Sequence, residues 1–304
     1  MLIPSVNTDF LDLFYNCLES NIGTTKSTIN LRILRIENNE FCYHDLVQKL
    51  FNAVIPFSVS RNEIDNFKLA KRDGELYVKA VEKLRDYNIN EGEAGELLLF
   101  CFLETHLKAP KILTKLEIKM SSNDYAKGSD GVHLLKLNDN KYHLIFGESK
   151  LDANITTSIS NAFKSISEFI KRKKNNLNSE LSLVNSQLCK ESFNEELYQF
   201  LKTILIPTAN SSNPIHKDNA FAIFAGFEIQ HSKEEASLDN DAFREMICTK
   251  IKSEVEGKIS HITKKIEEYN LQGYTFYVYA FPFTKIDDNR KRIIENLILS
   301  KNDY

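Results

Sequence analysis

Gly131-Val132-His133-Leu134-Leu135-Lys136-Leu137, Asn138-Asp139-Asn140-Lys141 and Tyr142-His143-Leu144-Ile145-Phe146-Gly147-Glu148-Ser149-Lys150 follow one another without a break. Two short apolar runs flank a cluster of turn residues, which predicts a β-hairpin. Strand period two then places Glu148 and Lys150 on one face. With residues 138–140 as the loop, cross-strand partners have numbers summing to 278, and Asp130 stands opposite Glu148. Opposed Cβ atoms in such a pair are about 4.5–5.5 Å apart. Two carboxylates at that distance repel unless a cation lies between them, and Mg²⁺ (or Mn²⁺) suits hard oxygen ligands. Lys150 beside them can orient water or stabilise charge on a phosphate.

Working outward, Glu91 to Leu107 reads as a helix whose second half is apolar on every side and therefore central. Glu93 and Glu96 are three residues apart and project from one side of it. Gly92 and Gly95 leave room for another backbone or a phosphate. Taken alone, this acid cluster is more simply a solubilising cap at a helix start. Downstream of Lys150, Asp152 or Asn154 can cap a helix with Ile155, Ile159, Ala162, Phe163, Ile166, Phe169 and Ile170 on its apolar side. Ser158, Asn161 and Ser165 form a polar stripe there, which could line a site and contact phosphate but reads more simply as a solvated face. The helix ends in Lys171-Arg172-Lys173-Lys174, which can contact a DNA backbone without sequence preference or simply complement the helix dipole. Lys285, Arg290, Lys291 and Arg292 are a weaker basic group.

The rest alternates α and β. Residues 7–19 suit a helix on the stripe Phe10, Leu13, Phe14, Cys17. Ile29 to Ile36 suits a strand, and His44 to Ala53 and Leu76 to Tyr87 suit helices. Ile112 to Met120, Leu201 to Ile206, Phe221 to Phe227 and Tyr274 to Phe281 read as extended segments. Asp239 to Tyr269 reads as one long helix and Arg290 to Leu299 as a closing one. Interleaved strands and helices predict an α/β fold, a mixed central sheet flanked by helices. Residues 1–90 are expected as an α+β elaboration packed on a core of residues 91–304.

Composition narrows the function. The 304 residues carry 39 Lys plus Arg against 42 Asp plus Glu, a net charge of -3, which excludes nucleic-acid coating by bulk charge but not a local basic groove. Five scattered cysteines (Cys17, Cys42, Cys101, Cys189, Cys248) with no C-x-x-C pair argue against a zinc site and for free thiols in a reducing compartment. No signal peptide or membrane-length apolar run is present, so a cytoplasmic location is expected. Phosphate-loop, G-x-S-x-G and H-E-x-x-H motifs are absent. E-x-K occurs three times, so the motif alone says little. Glu256/Lys258 falls in a helix, where residues two apart diverge. Glu117/Lys119 has no acid close upstream and is the alternate. Only Glu148/Lys150 closes an apolar strand opposite an Asp. His133 points away from Asp130 and reads as a core or surface histidine.

Helix acid, Asp, E-x-K and amphipathic helix, in that order, resemble the PD-(D/E)xK nuclease superfamily, which implies a restriction-endonuclease-like α-β-β-β-α-β core. More specifically, Gly92-Glu93-Ala94-Gly95-Glu96-Leu97-Leu98, Lys127-Gly128-Ser129-Asp130-Gly131-Val132-His133 and Phe146-Gly147-Glu148-Ser149-Lys150 are similar to the HamA family, nuclease subunits of Hachiman antiphage defence. The resemblance spans roughly residues 90–170. It implies a Mg²⁺-dependent deoxyribonuclease held idle by a HamB-like helicase subunit. Carried over, Asp130 and Glu148 bind metal and Lys150 is the catalytic lysine. Glu96 is the helix acid and third metal ligand, with Glu93 the alternate. Ser129 stands where the motif has proline. The rival readings are an inactive nuclease fold that binds DNA or a helicase, and a site-specific restriction-type endonuclease.

Overall fold

The computed structural model describes residues 2–84, 92–114, 116, 129–173, 195–205 and 215–299. The hairpin is present with the anticipated register. Strands β6 (Gly131–Asn138) and β7 (Lys141–Asp152) pair antiparallel from Lys136↔Tyr142 to Gly131↔Gly147. The turn itself is tighter than three residues: Asn138 pairs with Lys141, and a bulge between Lys136 and Asn138 restores the register.

Around this hairpin a seven-stranded sheet assembles in the order β1-β2-β9-β8-β7-β6-β5. The remaining strands are β1 (Phe14–Asn21), β2 (Thr28–Leu34), β5 (Lys111–Thr114), β8 (His216–Glu228) and β9 (Thr275–Phe283). β3 (Ile36–Glu37) and β4 (Glu40–Phe41) form a separate two-stranded ribbon. β2, β9, β8 and β7 run parallel, while β1, β6 and β5 attach antiparallel at the two flanks. Central parallel strands are covered on both faces, and β8 and β9 are correspondingly apolar at successive positions.

One face carries α4 (Glu93–Thr105), buried along its whole length. Phe102 stacks on Tyr279 at 5.1 Å between ring centroids, and Leu99 lies over Gly147. α1 (Tyr43–Ser58), α3 (Asp73–Glu82) and α10 (Ile286–Leu299) pack beside it, and α2 (Arg61–Leu69) joins α1 to α3. The opposite face carries α5 (Ile155–Lys173), whose Phe163 and Phe169 meet Phe276, Phe146 and Phe221. α8 (Asn240–Glu256) and α9 (Ile259–Glu268) cover the rest of that face. From α4 the chain runs α4-β5-β6-β7-α5, then α6 (Glu195–Leu205) and β8. That sequence of elements contains the anticipated α-β-β-β-α-β core within a mixed sheet.

Three local expectations are corrected. Residues 14–21 form an edge strand paired with β2, preceded by a 3-10 helix at Thr8–Leu13, so the helix expected over 7–19 is absent. Sheet pairing overrides the local period there, although Phe10 and Phe14 still reach the Phe102 ring. Residues 201–205 belong to helix α6, with Leu197, Leu201 and Ile204 buried at helical spacing. The long helix is two, α8 and α9, parted at Gly257-Lys258. α7 (Lys233–Ala236) is a short helix with a capping box between Ser232 and Glu235. The strands of residues 14–34 belong to the same sheet as the strands that follow residue 91.

Candidate active site

Glu148 stands near the C-terminal end of β7, where open α/β sheets place their ligands. Register and alternation put it on the α5 face with Phe146 and Lys150, while Gly147 and Ser149 face α4. Asp130 lies one residue before β6, and its backbone N–H donates to Gly147 O at 2.9 Å. Its carboxylate oxygen Oδ2 accepts from the Ser149 N–H at 2.7 Å. Ser129, in the place of the motif proline, donates its hydroxyl to Gly131 O at 2.8 Å and thereby shapes the same approach.

Glu148 is 7% exposed. Burial, and secondly the negative charge of Asp130, push its carboxyl up to about 7, against the opposing pull of Lys150 and Ser165. Lys150 Nζ is 2.7 Å from Glu148 Oε1. The three residues carried over from the motif are therefore physically coupled: Asp130 acts on Glu148 by charge, and Lys150 by a direct ion pair.

Glu93 and Glu96 are 1% and 7% exposed, so the solubilising-cap reading of this acid cluster is wrong. Glu96 lines a small crevice with Asp130, Gly131, His133 and Gly147. Gly95 explains how α4 comes so close. A methyl group there would overlap the Ser149 hydroxyl and lie 3.3 Å from Leu151. The helix bearing the acid is thus pressed onto the strand bearing E-x-K. Among the described residues, no group of three or more His, Cys, Asp and Glu side chains stands ready to hold a metal ion. Glu96 and Asp130 line that crevice together, whereas Glu148 belongs to the α5 face.

The polar stripe of α5 is also corrected. Ser158 is fully buried and donates to Lys150 O at 3.0 Å. Asn161 donates to Asp152 Oδ1 at 3.0 Å, and Ser165 is half-buried. A signal existed in the sequence: Ile155, Ser158, Ala162, Ser165 and Phe169 step by three and four, so both serines sit in line with core positions. Asn154, rather than Asp152, caps the helix by accepting from Thr157 N at 2.9 Å.

Of the core and surface readings of His133 the core one holds: it is 1% exposed, with Nδ1 donating to Ala109 O at 2.8 Å, although it lines the same crevice as Asp130 rather than pointing away from it. Lys171 is exposed near the end of α5; Arg172 and Lys173 are in its last turn. Lys174, Glu91, Glu117, Lys119, Lys127, Gly128 and Cys189 lie outside the described residues. Arg290 of the weaker basic group is ion-paired with Asp287 at 2.8 Å. Among the described residues, no helix is long and apolar enough to cross a membrane.

A comparison with curated proteins gave no match. A family model described as HamA, by contrast, matches residues 8–297. That span takes in the whole seven-stranded sheet together with Glu96, Asp130, Glu148 and Lys150, and the chain accordingly belongs to the HamA family, a component of Hachiman antiphage defence.

Proposed function

We propose that this chain is the deoxyribonuclease effector of its defence system, cutting DNA in a Mg²⁺-dependent reaction under the control of a partner helicase. The observation that carries the reading is the coupled set Asp130, Glu148 and Lys150 at the end of β7 within an α-β-β-β-α-β core. A buried and a half-buried carboxylate acting on one another by charge are a poor structural choice and a good pair of hard oxygen donors. Asp130 and Glu148 would hold the ion, with Glu96 the further acid across the crevice. Such an ion supplies Lewis-acid activation of water and of the scissile phosphate when bound.

The chain's own groups do the rest. The Ser149 N–H fixes one oxygen of Asp130 in place. Lys150 favours the carboxylate form of Glu148, and its ammonium is placed to stabilise charge developing on a phosphate. Exposed Lys171, in the basic run that closes α5, offers a sequence-independent contact to the DNA backbone. The lack of an assembled three-acid group among the described residues favours, as a second reading, a module that binds DNA without cutting it.

Supercoiled plasmid incubated with the purified chain and its helicase partner decides between them. The nuclease reading expects Mg²⁺-dependent cutting, lost in EDTA and reduced at least about a hundredfold in Lys150→Ala and Glu148→Gln. Cutting that survives both substitutions would overturn the site. Retention of DNA without any cutting, alone or with the helicase and damaged DNA, would establish the binding module.

A further inference from the structure

Arg32 of β2 is 6% exposed, its Nε is enclosed, and its guanidinium has no hydrogen bond or ion pair among the described residues. The buried cations Arg61 and Lys111, by contrast, are held: Arg61 donates to Ser5 Oγ at 2.7 Å, and Lys111 Nζ to the Pro56 and Val59 carbonyls at 2.6 and 3.0 Å. Two residues before Arg32, on the same face of the strand, Asn30 is 1% exposed and its Oδ1 is enclosed without a partner. An enclosed charge beside an enclosed unpaired amide is costly unless something outside the chain completes the polar set.

Register fixes what surrounds the pair. Asn30 stands between Tyr279 of β9 and Glu19 of β1, and Arg32 stands opposite exposed Asn16 of β1. The face is that of α4, since Phe14, paired with Leu34, meets Phe102. The Tyr279 hydroxyl lies 2.8 Å from Nδ1 of His106, the residue that ends α4, and His106 Nε2 is 3.9 Å from Glu19 Oε2. Lys108 follows, exposed, without an ion pair among the described residues, and with φ at 55°, a conformation that disfavours a lysine. Two cations thus face one carboxylate, which leaves an excess of positive charge. A guanidinium fork suits an oxyanion. Arg32 lacks an acceptor and Asn30 Oδ1 lacks a donor; a phosphate that keeps one P–O–H supplies both, whereas a carboxylate supplies only the first.

We propose that Arg32, Asn30, His106 and Lys108 form a binding site for a single phosphate group, carried by free phosphate or by a phosphomonoester such as a 5′-nucleotide or a DNA end. The site lies at the C-terminal end of α4, whereas Glu93 and Glu96 lie in its first turn, about 20 Å away along the helix. It goes beyond the metal-dependent reading above and does not rest on it.

The test is a calorimetric titration of the full chain with inorganic phosphate and with dTMP, in phosphate-free buffer containing EDTA, with melting temperature measured with and without phosphate. Wild type is expected to bind one phosphate and to melt higher in its presence. Arg32→Met removes an unanswered charge, so it is expected to melt no lower than wild type without phosphate. It should nevertheless lose the phosphate-dependent rise and bind about tenfold or more weakly. Lys108→Ala is expected to weaken binding by up to about fivefold, and Glu19→Gln to tighten it by a similar factor. Competition by a short DNA strand with a 5′-phosphate, but not by the same strand without one, identifies a DNA end; competition by dTMP and neither strand identifies a free nucleotide. Either result supports the site. Absence of saturable phosphate binding in wild type would overturn the proposal, as would wild-type affinity in Arg32→Met. If Arg32→Met melts well below wild type without phosphate, the other two variants decide, and unchanged affinity in both overturns the site.

Discussion

His133 makes the folded protein sensitive to acid in a way that can be separated from its other histidines. Its ring is 1% exposed, packs 5.8 Å from the Phe100 ring, and lies near the buried cations Lys111 and Arg61. Burial first, and then those two charges, depress its pKa from 6.5 to about 3, against the raising effect of the Ala109 carbonyl. The folded state therefore keeps a neutral ring with its proton on Nδ1, while the unfolded chain takes up a second proton as the pH falls below about 6.5. Stability is complete above that value and is lost on the way down toward about 3. At about pH 5 the unfolded ring is roughly 1.5 units below its pKa, and one unit is about 1.4 kcal/mol, so the loss is about 2 kcal/mol. Asn at this position places an amide N–H near the site of Nδ1 and cannot titrate. Urea unfolding of wild type and His133→Asn at about pH 7.5 and pH 5 isolates the effect, because His106, His143 and His261, also depressed chiefly by burial, remain in both proteins. The smaller Asn lowers stability at both pH values, but its loss between them should be about 2 kcal/mol smaller than in wild type. Equal losses in the two proteins would refute the reasoning.

Two further outcomes follow from the packing around α4. Glu104, fully buried, accepts from Lys111 N at 2.6 Å and from Ser5 N, and faces Arg61 at 3.7 Å; Glu104→Ala removes this acceptor and the carboxylate facing a buried cation and should cost about 3–5 kcal/mol in chemical denaturation. Gly95→Ala gains up to about 1 kcal/mol of helix propensity yet drives a methyl into Ser149 and Leu151, and should lose about 1–3 kcal/mol together with plasmid cutting. Gly74→Ala in α3 meets nothing within 4 Å and should gain stability with cutting unchanged, which makes it the control.

The elements legible in the sequence are those whose local pattern and tertiary setting agree. The β6–β7 hairpin has turn residues, strand period and register pointing one way, and the pairing from Gly131↔Gly147 onward matches. β8 and β9 are apolar enough to demand burial on both faces. Elsewhere local spacing misleads. Phe10, Leu13, Phe14 and Cys17 step like a helix, but β2 offers residues 14–21 a ladder of hydrogen bonds. The run Leu201 to Ile206 is too short for its period to distinguish strand from helix, and Leu197 one turn upstream decides it. From Val255 to Ile262 the apolar steps continue through Gly257-Lys258 without a change of phase, so nothing marks the break between α8 and α9. α2 has only Ile64, Phe67 and Leu69 as apolar residues, too few to announce a helix, and its buried anchor is Arg61.

The site divides along the same line. Glu148 and Lys150 could be separated from two other E-x-K pairs because strand period and a hairpin partner are properties of sequence. The contribution of α4 and α5 is not, since it depends on which surface each helix turns to the sheet. Glu93 and Glu96 have the composition of a solvated helix start, yet Gly95 between them is what presses that turn against Ser149. Ser158 and Ser165 have the composition of a solvated stripe, yet they share the three-and-four spacing of Ile155, Ala162 and Phe169. A polar side chain in line with a buried stripe has lost its water and must be answered by the neighbouring element. In α5 the answer to buried Ser158 comes from the Lys150 carbonyl. Polar residues that interrupt the apolar face of the helix following an E-x-K strand are therefore better candidates for site residues than the basic run at its exposed end.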